Sequence, residues 1–203
     1  MLKDIFKKKY KDTSEENLVV LAQKNDYDAL EELIKRVQKS IYSSFYYLNA
    51  DKENISDLTQ EALLRMSKSI VNLKNPKLFR SWLGHIVSNL FYDEQRKKQK
   101  QHCSISLEHF WSETEENHEV GFEICDTSQV PEEKTSCKEL NRMIKRHISA
   151  LPEHFRVVII LREIQGLSYD EIAKITKTNV GTVKSRISRA RIKLQENLKP
   201  YLN

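Results

Sequence analysis

Residues 181–191, GTVKSRISRAR, bring four basic side chains and two serines into one short stretch. If it is helical, each residue turns about 100°, so Val183, Ile187, Ala190 and Leu194 share one stripe. Ser185, Ser188 and Ile192 then fall near the opposite pole, with Arg189 about 60° past it. Lys184 and Arg191 occupy one flank, Arg186 and Lys193 the other. Such a helix suits the DNA major groove, with its pole toward the base edges and its flanks toward the two phosphate walls. Arg189 is long enough for a bidentate contact to guanine, and the serines can donate or accept. An ordinary solvated helix also carries charge, but it does not need cations on both flanks with small hydroxyls between them.

Two further stretches carry usable chemistry. In DLTQEALLR, 57–65, Leu58 and Ala62 point to the buried face, while Asp57, Gln60, Glu61 and Arg65 point largely outward. By itself this is the pattern of any solvated helix. In 74–98, Lys74, Asn75 and Lys77 sit in a loop before a helix. Ser88, Asn89 and Tyr92 lie further along that helix, and Arg96, Lys97 and Lys98 close it with a phosphate-binding end. Holding a single nucleic-acid strand takes base pockets, aromatic surfaces and a cationic track. Trp82 falls on the apolar stripe and reads as core, and His85 fits either side.

Catalytic patterns are missing. There is no phosphate-cradling glycine loop, nucleophile elbow or HExxH. His102, Cys103, His109, His118 and Cys125 share one region, but their spacing fits no zinc finger or ribbon. We therefore expect no catalysis, cofactor, metal or small-molecule substrate.

These residues must be positioned by helices. The 203 residues include only four glycines and four prolines, and 31% are charged. Such a composition fits short-looped helical bundles better than glycine-turned sheets. Charge is blocked along the chain. Residues 1–103 hold 19 Lys+Arg against 14 Asp+Glu, 104–135 hold one against nine, and 139–203 hold 13 against six. The acidic block lacks helical periodicity and reads as a linker between two basic units.

Before the linker, Thr13 and Glu16 have capping-box spacing. A second stretch places Leu30, Leu33, Ile34, Val37, Ile41 and Phe45 on one face. A third starts behind Ser56 and buries Leu58, Ala62, Met66 and Ile70. A fourth has Asn75 as cap, Pro76 at its first position, and Phe79, Trp82 or Leu83, Ile86 and Leu90 as its stripe. After the linker, helices are expected near 137–149, 153–164, 169–176 and 180–197. The last two form a helix-turn-helix with Ser168 and Asn179 as caps. The backbone donors of Val180, Gly181 and Thr182, with the Thr182 hydroxyl, would meet a phosphate. Three cysteines without a CxxC pair and no apolar run near the roughly 20 residues of a membrane span suggest a cytoplasmic protein without membrane insertion.

LREIQGLSYDEIA followed by GTVKSRISRAR resembles region 4 of bacterial sigma factors, in the extracytoplasmic-function (ECF) branch. Lys177 stands where that family usually has a turn glycine, and Thr176 where it has leucine. DLTQEALLR resembles the part of region 2 that docks on the β′ coiled coil of RNA polymerase. FRSWLGHIVSNLFYDEQRKK resembles the helix that melts and reads the −10 element. The resemblance implies an all-α protein of two small helical domains: region 2 over 1–100, an acidic linker over 101–136, and region 4 over 137–203. In the family that linker threads the polymerase's RNA-exit region.

The resemblance also implies binding to core RNA polymerase, through its β′ coiled coil and β subunit, and to promoter DNA. Asp57, Leu58, Gln60, Glu61 and Arg65 would take polymerase. Lys74, Asn75, Lys77, Ser88, Asn89, Tyr92, Arg96 and Lys97 would take the −10 strand. Arg162, Thr182, Lys184, Ser185, Arg186, Ser188, Arg189 and Arg191 would take the −35 duplex. An anti-sigma factor, often membrane-anchored in this family, would block these surfaces. The alternative is a stand-alone helix-turn-helix regulator, which would bind duplex DNA without polymerase.

Overall fold

Ser14, extended at φ −61° and ψ 151°, starts the first helix by accepting the Asn17 amide. It does so one residue after Thr13, so the expected Thr13–Glu16 capping box does not form. The computed structural model describes residues 10–48, 52–104 and 131–199. They form helices α1 (Glu15–Gln23), α2 (Tyr27–Leu48), α3 (Lys52–Ser69) and α4 (Phe79–Ser104), then α5 (Pro131–Ser149), α6 (Glu153–Glu163), α7 (Tyr169–Thr176) and α8 (Val180–Leu198). Short 3-10 turns at Ile70–Asn72 and Pro76–Leu78 join α3 to α4. Among the described residues there is no strand.

The N-terminal unit is a bundle around α2. Leu33, Val37, Ile41 and Phe45 are buried along one stripe of it, as their spacing predicts. They pack with Ala62 and Met66 of α3 and Leu83 and Val87 of α4 in one core. Replacing a side chain such as Phe45 by alanine would cost about 3–5 kcal/mol. Three further boundaries differ from the sequence reading. α3 begins at Lys52, not behind Ser56, because Ile55 is already buried and Asn54 donates to Glu94 of α4. α4 runs to Ser104 and α5 starts at Pro131, which narrows the expected linker from both ends. The acidic stretch 105–130 itself lies outside the described residues.

The C-terminal unit is built on α6. Val157, Val158, Ile159, Ile160 and Leu161 are all buried, so this helix is apolar on every side and needs neighbours all round. α7 and α8 cover part of it, and α2 of the N-terminal unit covers another part. The seam between the units is specific. The Gln165 side-chain amide donates to Ser44 Oγ at 2.7 Å and to the Ser40 carbonyl at 3.3 Å. Arg156 donates to the Leu48 carbonyl at 3.2 Å, and the Lys145 ammonium sits 3.9 Å above the Tyr46 ring.

The helix-turn-helix closes as expected, with one cost. Ser168 and Glu171 form a full capping box at the start of α7. Asn179 caps α8 by accepting the Thr182 amide at 2.7 Å. Between them Lys177 is left-handed at φ 52° and ψ 42°, the conformation that a glycine would take without strain.

Candidate promoter and polymerase surfaces

The wheel drawn for α8 is the one the structure shows. Val183, Ile187 and Ala190 are buried, and Leu194 packs against the core. Lys184, Ser185, Ser188 and Arg189 are exposed, with Ile192 beside them at 51%. One flank is organised by an aromatic ring that the sequence reading passed over. Tyr169, the first residue of α7, lies 4.9 Å from the Arg162 guanidinium and 6.0 Å from the Lys184 ammonium. Arg162 also donates to the Leu167 carbonyl at 2.7 Å. Its position is thus fixed by the turn before α7, and its charge is carried on the Tyr169 face.

Three assigned side chains are engaged in ways that spacing did not show. Arg191 holds Glu163 through two of its nitrogens, at 2.6 and 3.2 Å. The hydrogen bond and charge of Glu163 raise its pKa further, so it meets a phosphate only in exchange with, or alongside, that carboxylate. Arg186, on the other flank, is half-buried. The Thr182 amide is taken by Asn179, so it is not an open phosphate donor; its side chain is half-buried.

On α3, Asp57 and Gln60 are exposed, and Glu61 accepts from Arg65 at 2.7 Å. Leu58 is buried and supports this face from below. The face opens into a groove of about 720 Å³ between α3 and α4, lined among others by Asp57, Glu61, Arg65, Arg96 and Lys97. Carboxylates assigned to polymerase and cations assigned to DNA therefore border one groove.

The loop before α4 presents Lys74, Asn75 and Lys77 to solvent. Asn75 spends its side-chain oxygen on the Lys77 amide at 3.1 Å, the predicted cap. Two distant residues hold this loop in place. Gln23 donates to the Ile70 and Leu73 carbonyls at 2.9 and 2.7 Å. Arg80 grips Glu15 through two nitrogens, pinning the start of α4 to α1. No sequence signal pointed to either.

Further along α4 the assigned residues divide between open and covered. Asn89 and Lys97 are exposed, and Arg96 pairs with Asp93 at 2.6 Å. Ser88, expected to reach DNA, is only 4% exposed and is closed off in this arrangement. Tyr92 is half-buried, and burial, with Glu153 adding to it and Arg186 opposing, pushes its phenol above the usual value. Trp82 packs partly buried against the core, as its stripe position predicts.

Residues 33–101 match the family described as Sigma-70 region 2, and residues 141–194 match Sigma-70, region 4. The chain is 30% identical over 189 residues to an ECF RNA polymerase sigma-E factor of Haemophilus influenzae, spanning 93% of this chain and 97% of that one. It is 33% identical over 187 residues to the protein of that description in Escherichia coli, at 91% and 94%. The chain belongs to the ECF RNA polymerase sigma factors. As such it is a transcription initiation factor. Its fold is similar to a Bartonella quintana sigma factor solved with the anti-sigma factor NepR, at 25% identity and TM-score 0.62, over 83% of this chain and 96% of that one. A structure of CnrH with the cytosolic domain of CnrY aligns at TM-score 0.60 and 19% identity, over 92% and 97%.

Among the described residues no helix is long and apolar enough to cross a membrane. No group of three or more His, Cys, Asp or Glu is placed to hold a metal there. His109, His118 and Cys125 lie outside the described residues.

Proposed function

We propose that this ECF sigma factor divides promoter recognition between two helices and gives polymerase a third. The exposed pole of α8 enters the −35 major groove, with Arg189 reading guanine, Ser185 and Ser188 adjusting to neighbouring bases, and Lys184 and Arg191 meeting one phosphate wall. Arg162, steadied on Tyr169, approaches the same duplex from the last turn of α6. Arg186 meets the opposite phosphate wall once the units part. Lys74, Asn75 and Lys77 with Asn89, Tyr92, Arg96 and Lys97 receive the −10 strand. Asp57, Gln60, Glu61 and Arg65 offer acceptors and donors to the β′ coiled coil of core polymerase.

The observation that carries this reading is the α8 surface: small hydroxyls and Arg189 at the pole, cations on both flanks, and an apolar stripe beneath. The groove between α3 and α4 supports it, since a stand-alone regulator has no use for an acidic, hydrogen-bonding face beside its second DNA surface. The likeness to a sigma factor solved with an anti-sigma factor supports a partner of that kind for this chain. Run-off transcription with core polymerase on a pool of promoters tests the function and reports the motif together. Transcripts should depend on this protein and share −35 and −10 sequences. Duplex binding without any polymerase-dependent transcript would favour the stand-alone regulator.

A further inference from the structure

α1 reaches the loop before α4 from both ends. At its last residue, Gln23 donates from one amide nitrogen to the Ile70 carbonyl at 2.9 Å and to the Leu73 carbonyl at 2.7 Å. At its first residue, Glu15 receives Arg80, whose Nε donates at 2.7 Å. From Glu15 to Gln23 the helix rises about 12 Å, so the two holds are well separated. Both 3-10 turns of the loop, Ile70–Asn72 and Pro76–Leu78, pack on this helix.

The loop depends on these holds because it has little packing of its own. Ile70 and Phe79 are buried at its two ends, yet none of residues 71–78 is buried. Its internal bonds are local. The Leu73 amide donates to the Ile70 carbonyl at 3.1 Å, the Leu78 amide to the Asn75 carbonyl at 3.0 Å, and the Lys77 amide to the Asn75 side chain. Such bonds shape each turn but leave its tilt against the bundle free. The Gln23 bonds set that tilt. The Leu73 carbonyl belongs to the peptide that joins Leu73 to Lys74, so holding it fixes where the Lys74 and Asn75 side chains start.

α1 is anchored well enough to act as a brace. Leu18, Val19 and Ala22 are buried in the core of the N-terminal unit. Beyond Gln23 the chain turns through Asn25 at φ 63°. Asp26 then accepts the Ala29 amide at 3.0 Å and the Tyr10 hydroxyl at 2.6 Å, which ties down the exit of the helix. The residue type fits the task. A primary amide carries two N–H donors on one nitrogen, as two carbonyls of one turn require, and asparagine would be a methylene short.

We propose that Gln23 is a positioning residue for −10 recognition: through the Ile70 and Leu73 carbonyls it holds Lys74, Asn75 and Lys77 in the shape that receives the strand. This rests on the −10 assignment of those three residues made above.

Gln23→Met tests it in the full-length chain bound to core polymerase. Methionine is close to glutamine in size and helix propensity and has no N–H to donate. The probes are labelled single-stranded −10 oligonucleotides, one with the sequence that run-off transcription returns and others with one base changed. If the freed loop keeps its binding shape about a fifth of the time, the preferred strand loses affinity about fivefold. A strand already changed at the base the loop holds loses little, so preference at that base flattens. Binding to core polymerase and to the −35 duplex should stay unchanged. Gln23→Lys, whose ammonium can donate to the same carbonyls, should keep the preference. The proposal is overturned if Gln23→Met leaves the preference intact, or if it weakens all strands alike, as a general loosening of the fold would. It is also overturned if Gln23→Lys flattens the preference as far as methionine does. Lys74→Ala, Asn75→Ala and Lys77→Ala separate the brace from the assignment beneath it. If these three leave every strand's affinity unchanged, the loop does not take the −10 strand and the proposal falls with it. If they lower affinity and Gln23→Met does not, the brace alone falls.

Discussion

The two helices assigned to DNA meet opposite fates in the same chain. α8 keeps its reading pole in solvent and buries only the stripe opposite it. α4 buries its apolar stripe and, beyond that, meets α7 and the turn before it around Gly84. Exposure of a functional surface is therefore set by what the surface touches, as well as by its own sequence. On α8 the covering neighbours are α5, α6 and α7, all of the same unit. On α4 a Cβ at Gly84 would meet Leu161, Leu167 and Ile175, and Tyr92 feels the charges of Glu153 and Arg186, all from beyond residue 150.

The sharpest way to break this contrast is to compare one residue on each helix. Arg189→Ala should cost the free chain about 1–3 kcal/mol on the preferred −35 duplex and relax preference at particular bases. Arg96→Ala should leave that duplex binding unchanged and lower strand binding only once polymerase is present. Titration against a panel of single-base −35 changes measures the first, and the labelled −10 strand the second. Uniform loss across all −35 sequences for Arg189→Ala would move the reading pole of α8 elsewhere.

A smaller effect is expected at Arg191. Arg191→Ala should weaken every duplex alike and flatten the slope of log affinity against log salt by about one unit, the signature of one lost phosphate contact. The Glu163 pair refines this. Glu163→Gln removes the competitor for the guanidinium, so affinity should rise modestly, most at low salt, where charges are least screened. An unchanged salt slope in Arg191→Ala would place this side chain outside the phosphate contacts.

What the sequence revealed and what it hid divide along the same line. The α8 wheel, the caps at Ser168 and Asn179, and the stripe of α2 were legible because each depends on residues within a turn or two. The shift from Thr13 to Ser14 is ordinary slippage between adjacent capping residues, whereas α3 starts as early as Lys52 because Ile55 and Asn54 already find partners. The anchoring of the −10 loop by Gln23 and the close approach at Gly84 depend on partners 47 or more residues away in the chain. No local pattern encodes them. Tyr169 lies between these cases: the ring is plain in the sequence, but its two cations come from different helices.

Lys177 offers a modest test of the local side of this comparison. Its left-handed backbone puts a side chain where glycine carries no penalty. Lys177→Gly should stabilise the C-terminal unit by up to about 1 kcal/mol and leave −35 affinity within error, because Lys177 is not among the side chains assigned to the duplex. Thermal unfolding and duplex titration measure the two. A loss of duplex affinity would give Lys177 a part in the interface.

The smallest expected effect lies on the covered helix. His85, beside Gly84, is half-buried, and burial lowers its pKa below the ordinary value of 6.5. Burial disfavours the imidazolium, so the folded chain binds its proton less readily than the unfolded chain does. Between the lowered folded pKa and 6.5 the unfolded state therefore holds more protons, and stability rises with pH across that window. Above it the contribution is fully present; as pH falls through 6.5 it is progressively lost. His85→Gln should flatten the pH dependence of unfolding as pH falls through 6.5 while leaving stability near pH 8 little changed. Urea unfolding of both proteins at several pH values measures this. Parallel curves for the two proteins would show that the His85 environment is equally open in the folded and unfolded chains, and that the covering of α4 stops short of residue 85.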